Sequence, residues 1–241
     1  MNKTRKDLKK TLLPILLLLT GIGTALVFIY LFAELAEEVI ESEVQAFDTA
    51  IINLLQSGNS QLQYQIMFFI TELGSVWFLS LLSLLTVLYL WIKPKDKWGI
   101  LFFILNIAGG GLLTKVLKHY FGRERPSINE EIDAIGYSFP SGHSMGSLLF
   151  YGFIAYIIIR SAAKKPIKWT AVILAFLLVF LIGTSRIYLG AHFPSDVIAG
   201  HLAGGIWLIL CILALEWVKW QSANSMNPFR TFLHFLEQRF K

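Results

Sequence analysis

The sequence predicts an all-α polytopic membrane protein: six transmembrane helices in one bundle, with both termini cytoplasmic. Three observations carry this. The 241 residues are 55% apolar and 15% charged, against about 25% charged in an ordinary soluble domain, and the mean hydropathy is +0.61. The apolar residues fall into runs of the roughly 20 residues that a helix needs to cross a bilayer. Lys and Arg are shared unevenly between alternate connections, which marks a cytoplasmic side. The same composition excludes disorder and collagen-like repeats. The single cysteine, Cys211, excludes an intramolecular disulfide framework and a thiolate metal cluster.

The first span, roughly 12–33, follows the basic stretch Met1-Asn2-Lys3-Thr4-Arg5-Lys6. Its apolar part exceeds a signal-peptide core of about 7–15 residues and shows no convincing small-x-small cleavage site, so it is expected to be retained. Segment 33–61 is acidic, with Leu, Val, Ile and Phe at helical spacing. That pattern predicts short helices lying at the outer surface. The second span, roughly 65–92, is overlong and contains Glu72. Spans three to six cover roughly 98–117, 144–160, 168–186 and 197–218. Phe229, Phe232, Leu233, Leu236 and Phe240 share one helical face, which predicts an amphipathic cytoplasmic tail over 222–241. No repeat or linker divides the chain, so residues 1–241 read as a single membrane-embedded domain.

Sixteen Lys and Arg lie in the N-terminal arm, in the connections after spans two and four, and in the C-terminal tail. Between Ala33 and Gln61 there is none, but six acids: Glu34, Glu37, Glu38, Glu41, Glu43 and Asp48. The net charge of +5 is therefore an orientation signal, and nucleic-acid binding is not expected. Five basic residues depart from the trend. Lys115, Lys118, Arg123, Arg125 and Arg186 lie at or beyond the outer ends of spans three and five. Charge placed against the prevailing rule marks a functional site.

Three segments concentrate the remaining chemistry: Lys118 to Pro126, Pro140-Ser141-Gly142-His143, and Ser185-Arg186 through His192 to Asp196. By helix parity all three sit at outer helix ends, so the bundle brings them to one face. Lys118, Arg125 and Arg186 offer fixed positive charge and donors without acceptors, which suits a phosphate. Arg125 precedes Pro126, which pushes its backbone out of the helix. Ser141 and Gly142 open a helix whose free N–H groups form an anion cradle. His192 and Asp196 stand four apart; a carboxylate on one imidazole nitrogen sets the tautomer and raises the basicity of the other. His192 is thus a candidate nucleophile towards phosphorus, and His143 a candidate general acid for the leaving oxygen.

Lys118-x6-Arg125-Pro126, Pro140-Ser141-Gly142-His143 and Ser185-Arg186-x5-His192-x3-Asp196 resemble the tripartite signature of the type 2 phosphatidic acid phosphatase superfamily. Bacterial phosphatidylglycerophosphatase B and undecaprenyl pyrophosphate phosphatases are among its members. Each motif alone is weak; the three together, in order and at consistent helix ends, are specific. They span residues 118–196, and the six-span pattern extends the resemblance over most of the chain.

The resemblance implies a phosphohydrolase that needs no metal or other cofactor and works through a phosphohistidine. His192 would be the nucleophile, Asp196 its orienting partner and His143 the general acid. Lys118, Arg125, Ser141, Gly142 and Arg186 would hold the phosphoryl oxygens. The implied partners are the bilayer and a lipid phosphate: phosphatidylglycerophosphate, phosphatidic acid or undecaprenyl pyrophosphate. The implied location is the plasma membrane, with the active site on its outer face.

Plainer roles stand beside these. Lys118 fits an interfacial anchor, and Asp196 and Ser141 fit helix caps. Arg123, Glu124 and His119 read as solvated loop residues. His201 and Glu72 read as interhelical hydrogen-bonding or site-lining groups. Three other functions compete: a phosphotransferase with an acceptor other than water, a metalloenzyme using two His and one Asp, and a transporter. The clustered cations oppose the metal, and the intact set of catalytic side chains opposes the transporter.

Overall fold

The computed structural model describes residues 2–56, 60–93, 95–126 and 136–223, with residues 2–15 and 223 as backbone alone. It is all-α. The helices are α1 (Asn2–Ile40), α2 (Gln45–Gln56), α3 (Gln61–Glu72), α4 (Val76–Ile92), α5 (Lys97–Phe121), α6 (Gly142–Arg160), α7 (Lys165–Tyr188) and α8 (Pro194–Ala223). Within them, Leu16–Ile40, α5, α6, α7 and Pro194–Ser222 are each long and apolar enough to span a membrane.

The second expected span is not one straight helix. α3 and α4 meet at a 42° bend. At the bend Leu73, Gly74 and Ser75 donate to the carbonyls of Ile70, Thr71 and Glu72, which tightens the last turn of α3. Ser75 then caps α4, its Oγ accepting from the Phe78 N–H at 3.4 Å. Tyr151 of α6 donates to the Leu73 carbonyl at 2.8 Å, so backbone opened inside the bundle keeps a partner. The span expected over 65–92 is thus a bent pair, and it makes the sixth crossing when its two halves are counted as one.

Segment 33–61 also differs from its expectation. α1 continues to Ile40, because Phe32, Leu35, Ala36 and Val39 pack against Phe121, Phe139 and Ala199 while the glutamates face outward. Among the described residues of the segment only α2 is a separate short helix, and it contacts α7 and α8. The tail expected over 222–241 lies outside the described residues beyond Ala223.

α8 is the central element, packed along α1, α5 and α6. Small residues let the helices approach closely. A Cβ on Gly110 would stand 2.1 Å from Leu149 Cδ1. One on Gly200 would stand 2.7 Å from the Ser141 carbonyl oxygen. Around these contacts Phe103, Met145, Leu149, Phe150, Phe153 and Leu215 form the core. Buried Asn106 joins three helices, donating to the Leu149 carbonyl at 2.9 Å and accepting from Trp207 on its own carbonyl at 3.1 Å. Large apolar side chains such as Leu26, Trp77, Trp91 and Phe176 remain exposed, as lipid-facing surfaces require.

Candidate active site

Two helix stops and two helix starts build the site, all at one end of the bundle. α5 stops at Gly122 in the left-handed conformation (φ 60°), its N–H donating to the Lys118 carbonyl. α7 stops in a Schellman arrangement. Gly190 (φ 72°) donates to Ile187 O and Ala191 to Arg186 O, both at 3.0 Å. The same carbonyl receives the His192 N–H at 3.2 Å, so the cap itself aims the imidazole. α6 starts at Ser141, whose Oγ accepts from the Ser144 N–H and whose own N–H donates to the Asp196 carbonyl at 2.9 Å. α8 starts at Pro194, and the Asp196 carboxylate reaches back to the Phe193 N–H at 2.9 Å. The cap role foreseen for Asp196 and its place beside His192 are thus held together.

All eight predicted residues meet here. Arg125 donates from Nε to Gly136 O at 2.8 Å and from Nη1 to Ala191 O at 2.7 Å. Its Nη1 also stands 3.2 Å from His192 Nε2. Lys118 Nζ bonds the Tyr137 carbonyl, and a Cβ on Gly142 would stand 3.9 Å from its Cε. Arg186, 1% exposed, donates to Thr71 Oγ1 at 3.0 Å. His143 lies beside Gly74, in the field of Arg186, His192, Arg125 and Lys118. The Ser141 hydroxyl is fully buried and turned into the first turn of α6, so the geometry shows its capping role directly.

A guanidinium has no acceptor, so His192 Nε2 must be the lone-pair nitrogen and Nδ1 carries the proton. Nδ1 faces Ser138 Oγ at 3.2 Å and Asp196 Oδ2 at 3.4 Å. Ser138 Oγ in turn donates to Asp196 Oδ2. The serine therefore lies between imidazole and carboxylate as a third member of the chain. Burial pushes the His192 pKa down to about 3, against Asp196, which raises it, while Arg186 and Arg125 lower it further. The ring is a neutral base across the physiological range.

Arg123 is not the solvated loop residue that the sequence suggested. Its side chain is 16% exposed; Nη1 meets Asp196 Oδ1 at 2.7 Å and Nη2 meets Asp48 Oδ2 at 2.8 Å. Its guanidinium lies 4.1 Å from the Phe193 ring centre. Asp48, counted in the sequence only as one of six acids, is 2% exposed and also takes the Ser195 N–H and Oγ. Thr71 and Ser138 were missed as well. Ser138 abuts the Pro140-Ser141-Gly142-His143 motif, but nothing local distinguishes Asp48 or Thr71.

Glu124 is exposed, and His119 Nδ1 contacts its own helix at Lys115 O, so both remain outside the site. Glu72 accepts from Trp77 across the bend at 2.8 Å, and His201 engages the Val179 backbone, in keeping with interhelical hydrogen bonds.

An imidazole nitrogen with its lone pair fixed by the tautomer, gathered at one end of the bundle with three cations and a helix N-terminus, has the groups that phosphoryl transfer needs. Comparison with known proteins agrees. Residues 99–220 match the PAP2 superfamily. Phosphatidylglycerophosphatase B of Bacillus subtilis (strain 168) is 32% identical over 184 residues, covering 74% of this chain and 86% of that protein. The putative undecaprenyl-diphosphatase YbjG of Escherichia coli (strain K12) is 29% identical over 148 residues, 58% of this chain and 66% of that one. The crystal structure of a transmembrane PAP2-type phosphatidylglycerolphosphate phosphatase from Bacillus subtilis superposes with a TM-score of 0.71 at 30% identity, covering 78% of this chain and 94% of that one. With its motifs, fold and site geometry in agreement, this chain belongs to the PAP2 superfamily, among its metal-independent membrane lipid phosphate phosphatases.

Proposed function

We propose that the protein hydrolyses the terminal phosphate monoester of phosphatidylglycerophosphate through a phosphohistidine on His192. The observation that carries this is the His192 ring: Nδ1–H turned to Ser138 and Asp196, and Nε2 turned to Arg125 with its lone pair. In the first step Nε2 attacks phosphorus, the P–O bond to the lipid breaks, and His143 gives its proton to the departing oxygen. Asp196 faces the imidazolium that results. In the second step water attacks phosphorus, His143 takes the water's proton, and the N–P bond breaks to release inorganic phosphate. Lys118, Arg125, Arg186 and the α6 N-terminus at Ser141-Gly142 hold the equatorial oxygens, where charge gathers in transfer.

The same cradle accepts the terminal phosphate of undecaprenyl pyrophosphate, and likeness to the Escherichia coli relative supports this second substrate. The positive-inside count supports cytoplasmic termini and a site opening to the outer leaflet of the plasma membrane. Phosphate release by detergent-purified protein tests the reading, with excess chelator and a panel of phosphatidylglycerophosphate, phosphatidic acid and undecaprenyl pyrophosphate. Release that survives chelation, ranks phosphatidylglycerophosphate first and vanishes in His192→Ala is the expected result. Turnover near wild type in His192→Ala overturns the nucleophile, and a different ranking overturns the substrate.

A further inference from the structure

Among the described residues, Asp48 and Asp196 are the two buried carboxylates, and one guanidinium joins them. We propose that Asp48 is a positioning residue for catalysis: by occupying one side of Arg123, it leaves Asp196 a net negative charge to spend on His192. This rests on the reading of His192 as nucleophile. Asp48 itself touches neither His192 nor any group placed around the phosphate.

The argument is a charge count inside a buried network. Asp48 and Asp196 contribute two negative charges and Arg123 one positive, so one negative charge remains at the back of the imidazole. That charge matters most when Nε2 bonds phosphorus and the ring becomes cationic. Without Asp48, Arg123 and Asp196 would form a neutral pair, and the phosphorylated ring would lose its counter-charge in a place where water screens little. The geometry is built for such sharing. Arg123 splits its two terminal nitrogens between the carboxylates at 2.8 and 2.7 Å, and Phe193 holds the guanidinium plane from one face.

Asp48 is also locked in place. Oδ1 accepts the Ser195 N–H at 2.9 Å, one of the free first-turn donors of α8, and Oδ2 accepts Ser195 Oγ at 2.7 Å. A residue of α2, some 150 positions before Asp196 in the chain, thereby caps the helix that carries Asp196.

A plain staple between α2 and the bundle would use the same contacts, so the test must separate charge from attachment. Asp48→Asn, Arg123→Gln and the double variant are compared for kcat and KM, with thermal unfolding in detergent alongside. Asp48→Asn is expected to lower kcat by about a hundredfold with little change in KM. The double variant, which restores the lone charge of Asp196, is expected to recover about tenfold over Asp48→Asn, a coupling typical of contacting residues. A staple predicts the reverse, because the double variant has lost both attachments.

Should Asp48→Asn not fold, the double variant is compared with Arg123→Gln, whose two buried carboxylates lack their shared cation. The double variant is again expected to be the faster. A double variant no faster than its single parent, or one that does not fold, overturns the proposal. His192→Ala run in parallel keeps the two readings apart. An inert His192→Ala with no recovery in the double variant defeats only the role of Asp48, whereas an active one defeats the nucleophile.

Discussion

The two ends of this helix bundle carry ion pairs of similar length that do different work. At the site end, Arg123 joins Asp48 and Asp196 at 2.8 and 2.7 Å, with the carboxylates 3% and 0% exposed. At the opposite end, Lys219 meets Asp96 at 2.5 Å and Arg160 meets Glu216 at 2.9 Å, with side chains 29–58% exposed. Solvent and side-chain entropy reduce an exposed pair to about 0–1 kcal/mol. Removing one partner of a buried pair leaves the other charge stranded, at about 3–5 kcal/mol. Distance alone does not separate the two ends. Burial does, together with what the pair touches next: at the site end that is an imidazole, and at the other end it is water and a helix start.

The largest way to break the contrast is Asp196→Asn. It removes the counter-charge of His192 while keeping the shape, and a fall in kcat of about 10²–10⁴ is expected. Single-turnover phosphate release from folded protein checks it; a loss under tenfold would place the charge elsewhere. Gly200→Ala comes next. Its Cβ would stand 2.7 Å from the Ser141 carbonyl and 3.0 Å from Ser144 Cβ, against backbone that cannot step aside. About 1–3 kcal/mol of stability is expected to be lost, with activity falling as the start of α6 shifts. Denaturation in detergent beside the kinetic assay reads both.

A smaller effect follows from acid. The buried His192 titrates near 3 in the folded protein against an ordinary 6.5, so between these values the unfolded chain binds the extra proton. Stability attributable to His192 is therefore full above about pH 6.5 and declines as pH falls towards 3. Wild type is expected to lose stability faster than His192→Ala across that window, and parallel curves would count against burial of a neutral ring. Lys219→Met should matter least: under about 1 kcal/mol, with kcat unchanged. A clear drop in kcat there would show that the far end is coupled to the site after all.

Much of this was legible in the chain. Five single-helix spans follow from the length of their apolar runs, because a membrane leaves few other ways to satisfy a backbone. That the eight predicted residues would meet at one end of the bundle was legible, because they occur in compact motifs at helix ends. The bend at Leu73-Gly74-Ser75 was half visible, as an overlong span with Glu72 inside it. Its completion by Tyr151 was not, since that bond joins residues 78 positions apart.

What the sequence by itself determined is the membrane class, the number of crossings to within one bent pair, and which polar motifs gather at one end of the bundle. Each of these depends on local pattern or residue type. Tertiary structure alone decided that Arg123 is a shared cation, that Asp48 is buried, that Thr71 holds Arg186 and that Ser138 stands between His192 and Asp196. The physical reason is common to all four. A charged or hydroxyl side chain looks the same in a sequence whether water or another helix answers it. Only the packing of α2 and α5 against α8, and of α3 against α7, settles which.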